Sequence, residues 1–555
     1  MSSIRQDATL QKERKRMISG AEMMVKCLEA EEVRVIFGYP GAAICPFYDA
    51  LGKTDVRQVL VRQEQHAAHM ASGYARACGK VGVCVATSGP GATNLLTGIA
   101  TAYMDSIPMV AITGQVCIDQ LGRDSFQETD ITGACESVTK HSYLVKEAAD
   151  IPRIIKEAFH IASTGRPGPV LIDIPEDVQT ACIDEFSYPE NVDIAGYKPK
   201  FSGHPMQIKR ALEAIRQAKK PIICCGGGVV LSGAREEMTA FAQKSGIPIV
   251  STMMGIGVMP MDSPVYLGMI GRFGRTYANR SIREADLIIF CGARVGDRAV
   301  ASPGQIAETA KVIHIDADPA EIGKNMRADI PIVGDIKQVL AMLSEKTETV
   351  NCPDWIEEVL EYKRSCKPHG EASEVFVEPR FFIRELSEMM EENAILVADV
   401  GQSQIWAARN FSQKEGRFLT SGGLGTMGYA LPAAVGAKMG KPHRQVVAIA
   451  GDGAFQMSMC ELATAAAWDV PIKLIIMDNQ RLGMVRELQD IHYGGRHNST
   501  VSTGNPDFVM LCRAYGMKTL LAENNSQARE YAREFLDSDE ACILICKVSP
   551  ETPTI

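Results

Sequence analysis

Residues 446–453 read Val-Val-Ala-Ile-Ala-Gly-Asp-Gly, an apolar run that stops at two glycines flanking an aspartate. Five consecutive small or β-branched apolar residues bounded by a turn are typical of a strand buried on both faces, as in a parallel sheet. The next apolar run ends at Asp478 and Asn479, and Asn479 lies 27 residues after Asp452. Because parallel strands end at the same edge of a sheet, Asp452 and Asn479 are predicted to share one ligand site.

The same pattern of a short apolar run, a glycine-rich turn and an amphipathic segment recurs along the chain. It predicts alternating strands and helices, and therefore parallel sheets with helices on both faces. We predict an α/β protein of three doubly wound parallel-sheet domains. The predicted boundaries are 1–16 for a polar N-terminal arm, 17–190 for the first domain, 191–350 for the central domain, 351–377 for a linker rich in proline and polar residues, and 378–555 for the third domain.

Composition restricts the kind of function. The 555 residues are 46% hydrophobic and 23% charged, as in ordinary globular proteins. The net charge of −9 without a concentrated run of Lys or Arg argues against nucleic acid or a membrane surface as a partner. The 16 cysteines show no metal or redox spacing, which indicates reduced thiols and a cytoplasmic location. The N-terminus is not signal-like, and no apolar stretch approaches the roughly 20 residues of a membrane span. Small-molecule chemistry is favoured.

The Gly451-Asp452-Gly453 turn offers the chemistry of a metal and phosphate site. A carboxylate, an amide oxygen, a backbone carbonyl and phosphate oxygens are the hard ligands that Mg²⁺ prefers. The glycines let the backbone approach a phosphate, and a helix opening near Ala454 offers unpaired N–H groups. Taken alone, a Gly-Asp-Gly triplet also fits an ordinary turn. The strand before it and the spacing to Asn479 favour the metal site.

This pattern resembles the cofactor motif of the thiamine diphosphate enzyme superfamily, which has Gly-Asp-Gly, a spacer of this size, and Asn-Asn or a close variant. The resemblance implies that Asp452, Asn479 and the carbonyl of Arg481 bind Mg²⁺. This chain has Asp478 where the first Asn is usual, outside the ligand position. Further cofactor contacts implied in the third domain are Gly401, Gln402, Ser403, Gly451, Gly453, Ala454, Gly483 and Met484.

Two other segments match the same superfamily. Residues 421–428, Ser-Gly-Gly-Leu-Gly-Thr-Met-Gly, would by themselves be a flexible loop, but the family uses Met427 to bend the cofactor and the Gly425 carbonyl to bind its pyrimidine. Glu64, which alone would be a solvated surface residue, matches the carboxylate that protonates the pyrimidine in the family. The resemblance implies that Pro40 and Gly41 lie in the same cofactor site. Since these groups come from different domains, the family implies a homodimer or homotetramer with active sites at the subunit interface.

Within that superfamily, nearly the whole chain resembles the catalytic subunits of acetohydroxyacid (acetolactate) synthases. The segments that carry the resemblance are 38–43, 87–94, 102–108, 124–128, 140–142, 164–169 and 482–485. The family decarboxylates pyruvate and joins the two-carbon unit to a second 2-keto acid, giving 2-acetolactate or 2-aceto-2-hydroxybutyrate for branched-chain amino acid synthesis. A small regulatory subunit is a further partner that the resemblance allows.

The resemblance also implies substrate contacts. Phe126 and Gln127 would line the pocket, and Lys140 would guard the substrate entrance. Arg298 would bind the carboxylate of the second keto acid, a task that suits a planar guanidinium. Taken alone, an arginine after a strand is more often a surface ion-pair partner.

The central domain resembles the family's FAD-binding domain, so FAD is an expected third cofactor. Two segments depart from the family pattern. Residues 272–274 are Arg-Phe-Gly instead of Met-His-Gly, and residues 295–298 are Val-Gly-Asp-Arg instead of Phe-Asp-Asp-Arg. The matching positions are Gly226, Gly227, Gly228, Met254, Arg294, Asp316 and Asp335.

A third departure concerns the acceptor. Leu488 replaces a family tryptophan that favours 2-ketobutyrate and forms part of the sulfonylurea herbicide site, and Cys117 stands where a proline often sits. Loss of the aromatic wall predicts a weaker preference for 2-ketobutyrate and poor herbicide sensitivity. Two alternatives remain open: a related thiamine diphosphate lyase or acyl transferase with another acceptor, and a catalytically silent paralogous subunit.

Overall fold

The computed structural model describes residues 17–300, 306, 308–367, 369–412, 414–502 and 504–555. The predicted N-terminal arm, 1–16, lies outside the described residues. The described chain forms two compact units, one from the residues up to Ala71 with Val81–Tyr197 and the other from Ser72–Lys80 with Lys198–Ile555. It contains three six-stranded parallel sheets flanked by helices, which confirms the α/β class.

The first unit contains a short ribbon and one of these sheets. The ribbon pairs β1 (Ile18–Ser19) with β8 (Cys182–Ile183) in antiparallel fashion. The sheet has the order β3-β2-β4-β5-β7-β6, and β-branched residues such as Val110 and Ile172 fill the core beneath it. Its strands are β2 (Val35–Tyr39), β3 (Arg57–Leu60), β4 (Gly82–Ala86), β5 (Met109–Gln115), β6 (His141–Leu144) and β7 (Pro169–Pro175). The α-helices before Tyr197 are Gly20–Ala30, Cys45–Leu51, Glu64–Cys78, Pro90–Asp105, Ile131–Cys135, Ile151–Ser163 and Glu176–Thr180.

The second sheet has the order β11-β10-β9-β12-β13-β14. The segment 351–377, predicted as a linker, contains the helix Pro353–Arg364, because Trp355 and Val359 on one helical face are buried in the core of this sheet. The strands are β9 (Pro221–Cys225), β10 (Ile249–Ser251), β11 (Tyr266–Met269), β12 (Leu287–Cys291), β13 (Lys311–Asp316) and β14 (Ile330–Val333). The other α-helices whose bounds the structure describes are Pro205–Gln217, Gly227–Leu231, Arg235–Ser245, Thr276–Glu284 and Ile336–Lys346.

The third sheet has the order β16-β15-β17-β18-β20-β19 and belongs to the same unit as the second. Its strands are β15 (Ile395–Ala398), β16 (Arg417–Leu419), β17 (Val446–Gly451), β18 (Lys473–Asp478), β19 (Lys518–Ala522) and β20 (Cys542–Lys547). Its α-helices are Pro379–Met389, Gln402–Asn410, Ala430–Gly440, Asp452–Gln456, Leu462–Ala467, Gly483–Tyr493, Phe508–Ala514 and Asn525–Asp537.

Each sheet reverses its strand order beside the strand that comes first in the chain. The reversal lies between β2 and β4, between β9 and β12, and between β15 and β17. At such a point the loops that follow the two strands diverge, which leaves a crevice at the carboxyl edge where α/β proteins bind ligands. In the described part of the chain, no helix combines the length and apolarity needed to cross a bilayer.

Candidate active site

The turn that follows β17 places a carboxylate inside the third sheet's crevice. Asp452 is only 1% exposed, and its Oδ2 accepts a hydrogen bond of 2.8 Å from Asn505 Nδ2. Burial raises the pKa of Asp452 to about 6, and the nearby charge of Asp478 acts in the same direction. A buried carboxylate next to a second one is an environment that a divalent cation stabilises. The oxygen-rich side chains here fit Mg²⁺.

Asn479 and Arg481 lie beside the loop that follows β15. Asn479 Nδ2 donates to Gln402 Oε1 at 2.9 Å, and Asn479 Oδ1 accepts from the Arg481 amide at 3.1 Å. A Cβ at Gly483 would lie 1.8 Å from Gln402 Oε1, so a larger residue there would displace the Gln402 side chain. The structure therefore brings together three of the predicted contacts, Gln402, Asn479 and Gly483, at one sheet edge.

A buried aspartate that the sequence analysis did not single out holds the glycine loop 421–428. Asp399 is fully buried at the end of β15, where its two oxygens accept from the amides of Gly428 at 2.9 Å and Ala430 at 2.8 Å. It also accepts from the Val400 amide at 2.8 Å. Charge-assisted bonds of this kind are stronger than neutral ones. The available signal was an aspartate directly after the apolar run 395–398.

The ends of three loops meet in this crevice. A Cβ at Gly453 would lie 3.0 Å from Leu482 Cδ2 and 3.7 Å from Met427 Cε, so Met427 is close to the Gly451-Asp452-Gly453 turn. Gly401 and Gly425 have φ values of +123° and +77°, and no described atom outside the adjoining residues lies within 4 Å of a Cβ placed at either. Both turns thus face open space, which fits a ligand held against the backbone.

In the first unit, Glu64 begins the helix after β3 and lies beside the turn after β4. Its Oε2 accepts from Asn94 Nδ2 at 3.0 Å, and its Oε1 would be 3.4 Å from a Cβ at Gly91. Gly41, after the exposed Pro40, approaches the same turn so closely that a Cβ would lie 2.5 Å from Thr87 Cγ2. Pro40, Gly41 and Glu64 therefore lie at or beside the crevice between β2 and β4. The Asn94 contact was missed by the sequence analysis.

The predicted substrate residues of this unit have different environments. Phe126 is 87% exposed, and Gln127 has a φ of +59°. Lys140 Nζ, by contrast, donates to the carbonyls of Ile161 and Thr164 and to the Tyr197 hydroxyl. These hydrogen bonds give Lys140 a structural role, because they join it to residues 161–164 and to Tyr197. Its role at the substrate entrance stays a prediction.

The glycine turn after β9 packs against the turn after β12. Gly228 N donates to the Gly292 carbonyl at 3.0 Å, and a Cβ at Gly226 would lie 2.1 Å from that oxygen. Met254 lies close to both Gly227 and Gly422, because a Cβ at Gly227 would be 3.2 Å from Met254 Cβ and a Cβ at Gly422 would be 2.3 Å from its sulfur. The glycines thus allow a close backbone turn at the second crevice, which fits a nucleotide cofactor.

The other residues predicted to contact flavin lie at or just after the carboxyl ends of β12, β13 and β14. Asp316 accepts from the Asp318 amide at 2.9 Å, and Asp335 caps the helix Ile336–Lys346 through a bond of 3.1 Å to Gln338 N. Asn325 Nδ2 donates to the Arg294 carbonyl at 3.1 Å. Both aspartates therefore have local structural bonds in addition to any role with a cofactor.

The two departing segments of the central domain contact each other. Arg272 N donates to the Arg298 carbonyl at 3.0 Å, and a Cβ at Gly271 would lie 2.2 Å from the same oxygen. The Arg298 side chain is 69% exposed and lies 3.8 Å from Asp297, a distance at which a surface pair contributes little. Its guanidinium is therefore available to bind a carboxylate.

The helix Gly483–Tyr493 carries Met484, predicted to contact the cofactor, and Leu488, predicted to line the acceptor pocket. Met484 is half-buried, and Leu488 is exposed together with Val485 and Ile491. The apolar side chains of Val485, Leu488 and Ile491 recur at every third position of one helix, so they lie near one another on its surface. This surface is compatible with an apolar substrate wall.

The three parallel sheets and the acidic edge of the third sheet fit the class of thiamine pyrophosphate enzymes. Family comparisons agree with this assignment over most of the chain. Residues 18–134 match the thiamine pyrophosphate enzyme N-terminal TPP binding domain, 208–343 the central domain and 399–546 the C-terminal TPP binding domain.

Sequence identity to individual proteins identifies the family within this class. The chain is 47% identical to the "Probable acetolactate synthase large subunit" of Methanocaldococcus jannaschii, covering 96% of this chain and 92% of the relative. It is 46% identical to the acetolactate synthase large subunit of Corynebacterium glutamicum, covering 94% and 85%. It is 42% identical to the acetolactate synthase isozyme 3 large subunit of Escherichia coli, covering 94% of each chain. The chain belongs to the acetolactate synthase large-subunit family.

Proposed function

We propose that this enzyme decarboxylates pyruvate and transfers the two-carbon unit to a second 2-keto acid, giving 2-acetolactate or 2-aceto-2-hydroxybutyrate. The observation that carries the proposal is the meeting of Asp452, Asn479, Gln402 and the loop 421–428 at one crevice of a thiamine-dependent fold. When bound, thiamine diphosphate supplies a carbon nucleophile and accepts the electron pair released on decarboxylation.

The residues of the third sheet would hold the cofactor's diphosphate end. Asp452, Asn479 and the Arg481 carbonyl would bind Mg²⁺, because they supply the oxygen ligands that this ion prefers. Eight further residues would line the site of the diphosphate and the adjacent ring. They are Gly401, Ser403, Gly453 and Ala454 through their backbone, together with Gln402, Gly451, Gly483 and Met484. Asp399 would position the loop 421–428, because its hydrogen bonds from the amides of Gly428 and Ala430 hold the segment that carries Gly425 and Met427.

Glu64 would hold and transfer a proton at the pyrimidine end. A carboxylate that hydrogen-bonds to a ring nitrogen shifts the proton equilibrium of the attached amino group, which is general acid–base chemistry. The bond from Asn94 to Oε2 fixes the direction of the carboxylate and leaves Glu64 Oε1 available to the ring nitrogen. Pro40 and Gly41 would form the backbone wall beside it.

Substrate recognition would come from side chains around these groups. Phe126, Gln127 and Leu488 would form the apolar and polar walls, and Arg298 would bind the acceptor's carboxylate through two parallel N–H groups. Apolar walls also exclude water from the site, which favours loss of the charged carboxylate as CO₂.

FAD would be the third cofactor of this enzyme. The turn 226–228, with Met254, Arg294, Asp316 and Asp335, would hold FAD at the crevice between β9 and β12.

The chain would form a homodimer or homotetramer in which Glu64 of one chain serves the diphosphate site of another. The words "large subunit" in the relatives' names describe those proteins, and we infer that this chain also binds a smaller regulatory subunit.

The test is product formation by the purified protein with thiamine diphosphate, Mg²⁺ and pyruvate, compared with the Glu64→Gln variant. The substituted amide keeps an oxygen that accepts from Asn94, so the fold is preserved while proton transfer is lost, and turnover is expected to fall at least about 100-fold. Acetaldehyde or acetyl phosphate as the wild-type product would favour a related lyase or acyl transferase. Equal, negligible turnover of both proteins with cofactor bound would indicate a silent subunit.

A further inference from the structure

Asp173 is a buried carboxylate in the first sheet that no step above uses. It lies in β7, is 1% exposed, and accepts from Thr113 Oγ1 at 2.6 Å and from Gln115 Nε2 at 2.9 Å. A strand of a parallel sheet that is buried on both faces is normally apolar, and a buried carboxylate costs free energy unless it is well hydrogen-bonded. This position therefore requires an explanation beyond the core itself.

Gln115 connects Asp173 to the loop that follows β5. Its Nε2 donates a second hydrogen bond to the Thr129 carbonyl at 2.8 Å, and its Oε1 accepts from the Val116 amide at 2.9 Å. Since both ends of the amide are bonded, its orientation is determined by its partners. The carboxylate on β7 is thus joined, through one side chain, to the backbone of Thr129.

The loop 118–130 is held by hydrogen bonds more than by apolar packing. The Glu128 carboxylate accepts from the amides of Arg123 at 3.3 Å and Ser125 at 3.1 Å, and also from Gly122. Phe126, at the tip, buries little of its ring. The Gln127 backbone passes so close to Gly89 that a Cβ there would lie 2.8 Å from the Gln127 carbonyl. A small displacement of this loop would therefore move Phe126 and Gln127.

We propose that Asp173 and Gln115 are positioning residues, which hold the loop 118–130 through Thr129 so that Phe126 and Gln127 face the substrate. The inference rests on the proposed function, because that function assigns Phe126 and Gln127 to the substrate pocket. The anchor is strongest when Asp173 is ionised, since a charged acceptor forms the stronger bond to Gln115.

The surroundings of Asp173 make this anchor sensitive to pH. Burial raises the pKa of Asp173 to about 7, against the opposing bonds from Thr113 and Gln115, and the charge of Asp130 raises it further. Among the described residues, Cys135 on the helix Ile131–Cys135 also interacts electrostatically with Asp173. The residue paired with Asp173 on β6 is the uncharged Leu144. Protonation below about pH 7 would weaken the bond to Gln115.

Hydrogen–deuterium exchange of the full-length protein without ligands tests the anchor directly. Gln115→Met keeps the side-chain volume but removes the bridge, and exchange of amides in 122–128 is expected to rise roughly tenfold. Thr113→Val is the matched control, because it removes the other bond of Asp173 and leaves the bridge intact. Exchange of the loop in Gln115→Met equal to that of wild type would overturn the proposal.

Asp173→Asn provides a test if Gln115→Met fails to fold. The amide can accept from Gln115 and donate to Thr113, so the geometry is kept while the charge is lost. After correction for the intrinsic pH dependence of amide exchange, protection of the amides of residues 122–128 in the wild type is expected to decrease as the pH is lowered from 8 to 6. In Asp173→Asn this protection is expected to stay constant. The same pH dependence in both proteins would overturn the proposal.

Steady-state kinetics distinguishes a specific effect on the substrate pocket from a general loss of structure. Gln115→Met is expected to raise the KM for pyruvate about tenfold while the Kd of thiamine diphosphate stays within twofold of wild type. Parallel increases in both constants would indicate a purely structural role and overturn the proposal. A wild-type protein that makes no acetolactate would defeat the proposed function, whereas the exchange measurements would still test the anchor.

Discussion

Two buried aspartates at the carboxyl edge of the third sheet have different environments. Asp399 accepts hydrogen bonds from three backbone amides, so both of its carboxyl oxygens already have donors within the protein. Asp452 has a side-chain bond from Asn505 and a raised pKa, because burial and the charge of Asp478 oppose its ionisation. The first arrangement stabilises a loop, and the second keeps a carboxylate ready for a cation.

Asp452→Asn should therefore affect stability and binding in opposite directions. A folded-state pKa of about 6 means that the stability contributed by this carboxyl is lost as pH rises through that value, so the ionised group destabilises the metal-free fold at pH 7.5. Replacing it with an amide should raise the free energy of unfolding by about 1–3 kcal/mol at that pH.

Thermal unfolding with and without Mg²⁺ and thiamine diphosphate checks both effects. The wild type should gain stability when the two ligands are added, and Asp452→Asn should gain none. Asn505→Ala, which removes the neighbouring donor but leaves the carboxylate, is the control and should retain ligand stabilisation. A normal ligand-induced shift in Asp452→Asn would exclude the metal role.

Leu488 should set the preference between acceptors. Leu488→Trp restores a large aromatic surface on the helix Gly483–Tyr493, which is expected to strengthen selection of 2-ketobutyrate over pyruvate by about 1–3 kcal/mol. Competition between the two acceptors, with product ratios measured for both proteins, checks this. Leu488→Met, similar in volume, should leave the ratio near wild type. An unchanged ratio in Leu488→Trp would show that Leu488 is not in contact with the acceptor.

At the scale of elements, the loops after parallel strands create the site and the strands only support it. Three loops of the third sheet meet through Gln402, Met427 and Gly483. The strand runs were visible in the sequence because buried parallel strands are continuous in Val, Ile and Leu. The helix Pro353–Arg364 was not predicted, because its buried face is recognisable only from the second sheet against which Trp355 packs.

Gly483→Ala tests whether these loops must approach so closely. The added Cβ would overlap Gln402 Oε1 and displace the partner of Asn479, so the affinity for thiamine diphosphate with Mg²⁺ should fall and unfolding should cost about 1–3 kcal/mol less. Gly52→Ala is the matched control, since its nearest atoms would be 3.6 Å away. Isothermal titration and thermal unfolding measure both quantities. Equal effects of the two substitutions would contradict the argument.

At the scale of the whole molecule, the groups predicted to act on one cofactor lie in separate compact units of the chain. Glu64 belongs to the unit that ends at Tyr197, and Asp452 belongs to the unit that contains the second and third sheets. The proposed oligomer, in which each site takes one group from each chain, makes a quantitative prediction about mixed assemblies.

Mixing inactive Glu64→Gln and Asp452→Asn chains, after dissociation and reassembly, should restore activity. In a mixed dimer one site carries both substitutions and the other carries neither, so random pairing should restore about a quarter of the wild-type turnover. Each variant reassembled alone is the control. If the mixture stays as inactive as its components, both groups of a site come from one chain.

The sequence by itself determined the class of fold and the identity of most chemical groups, because apolar runs, glycine turns and an acidic residue after a strand are local signals. Asp452 and Asn479 could be identified in this way, whereas the roles of Glu64, Arg298 and the loop 421–428 were predicted from the family resemblance. Only the tertiary structure revealed Asp399 beneath that loop, Asn94 beside Glu64, and the connection from Asp173 through Gln115 to Thr129. These bonds join residues far apart in the chain, and no local pattern records which distant donor a buried carboxylate will meet.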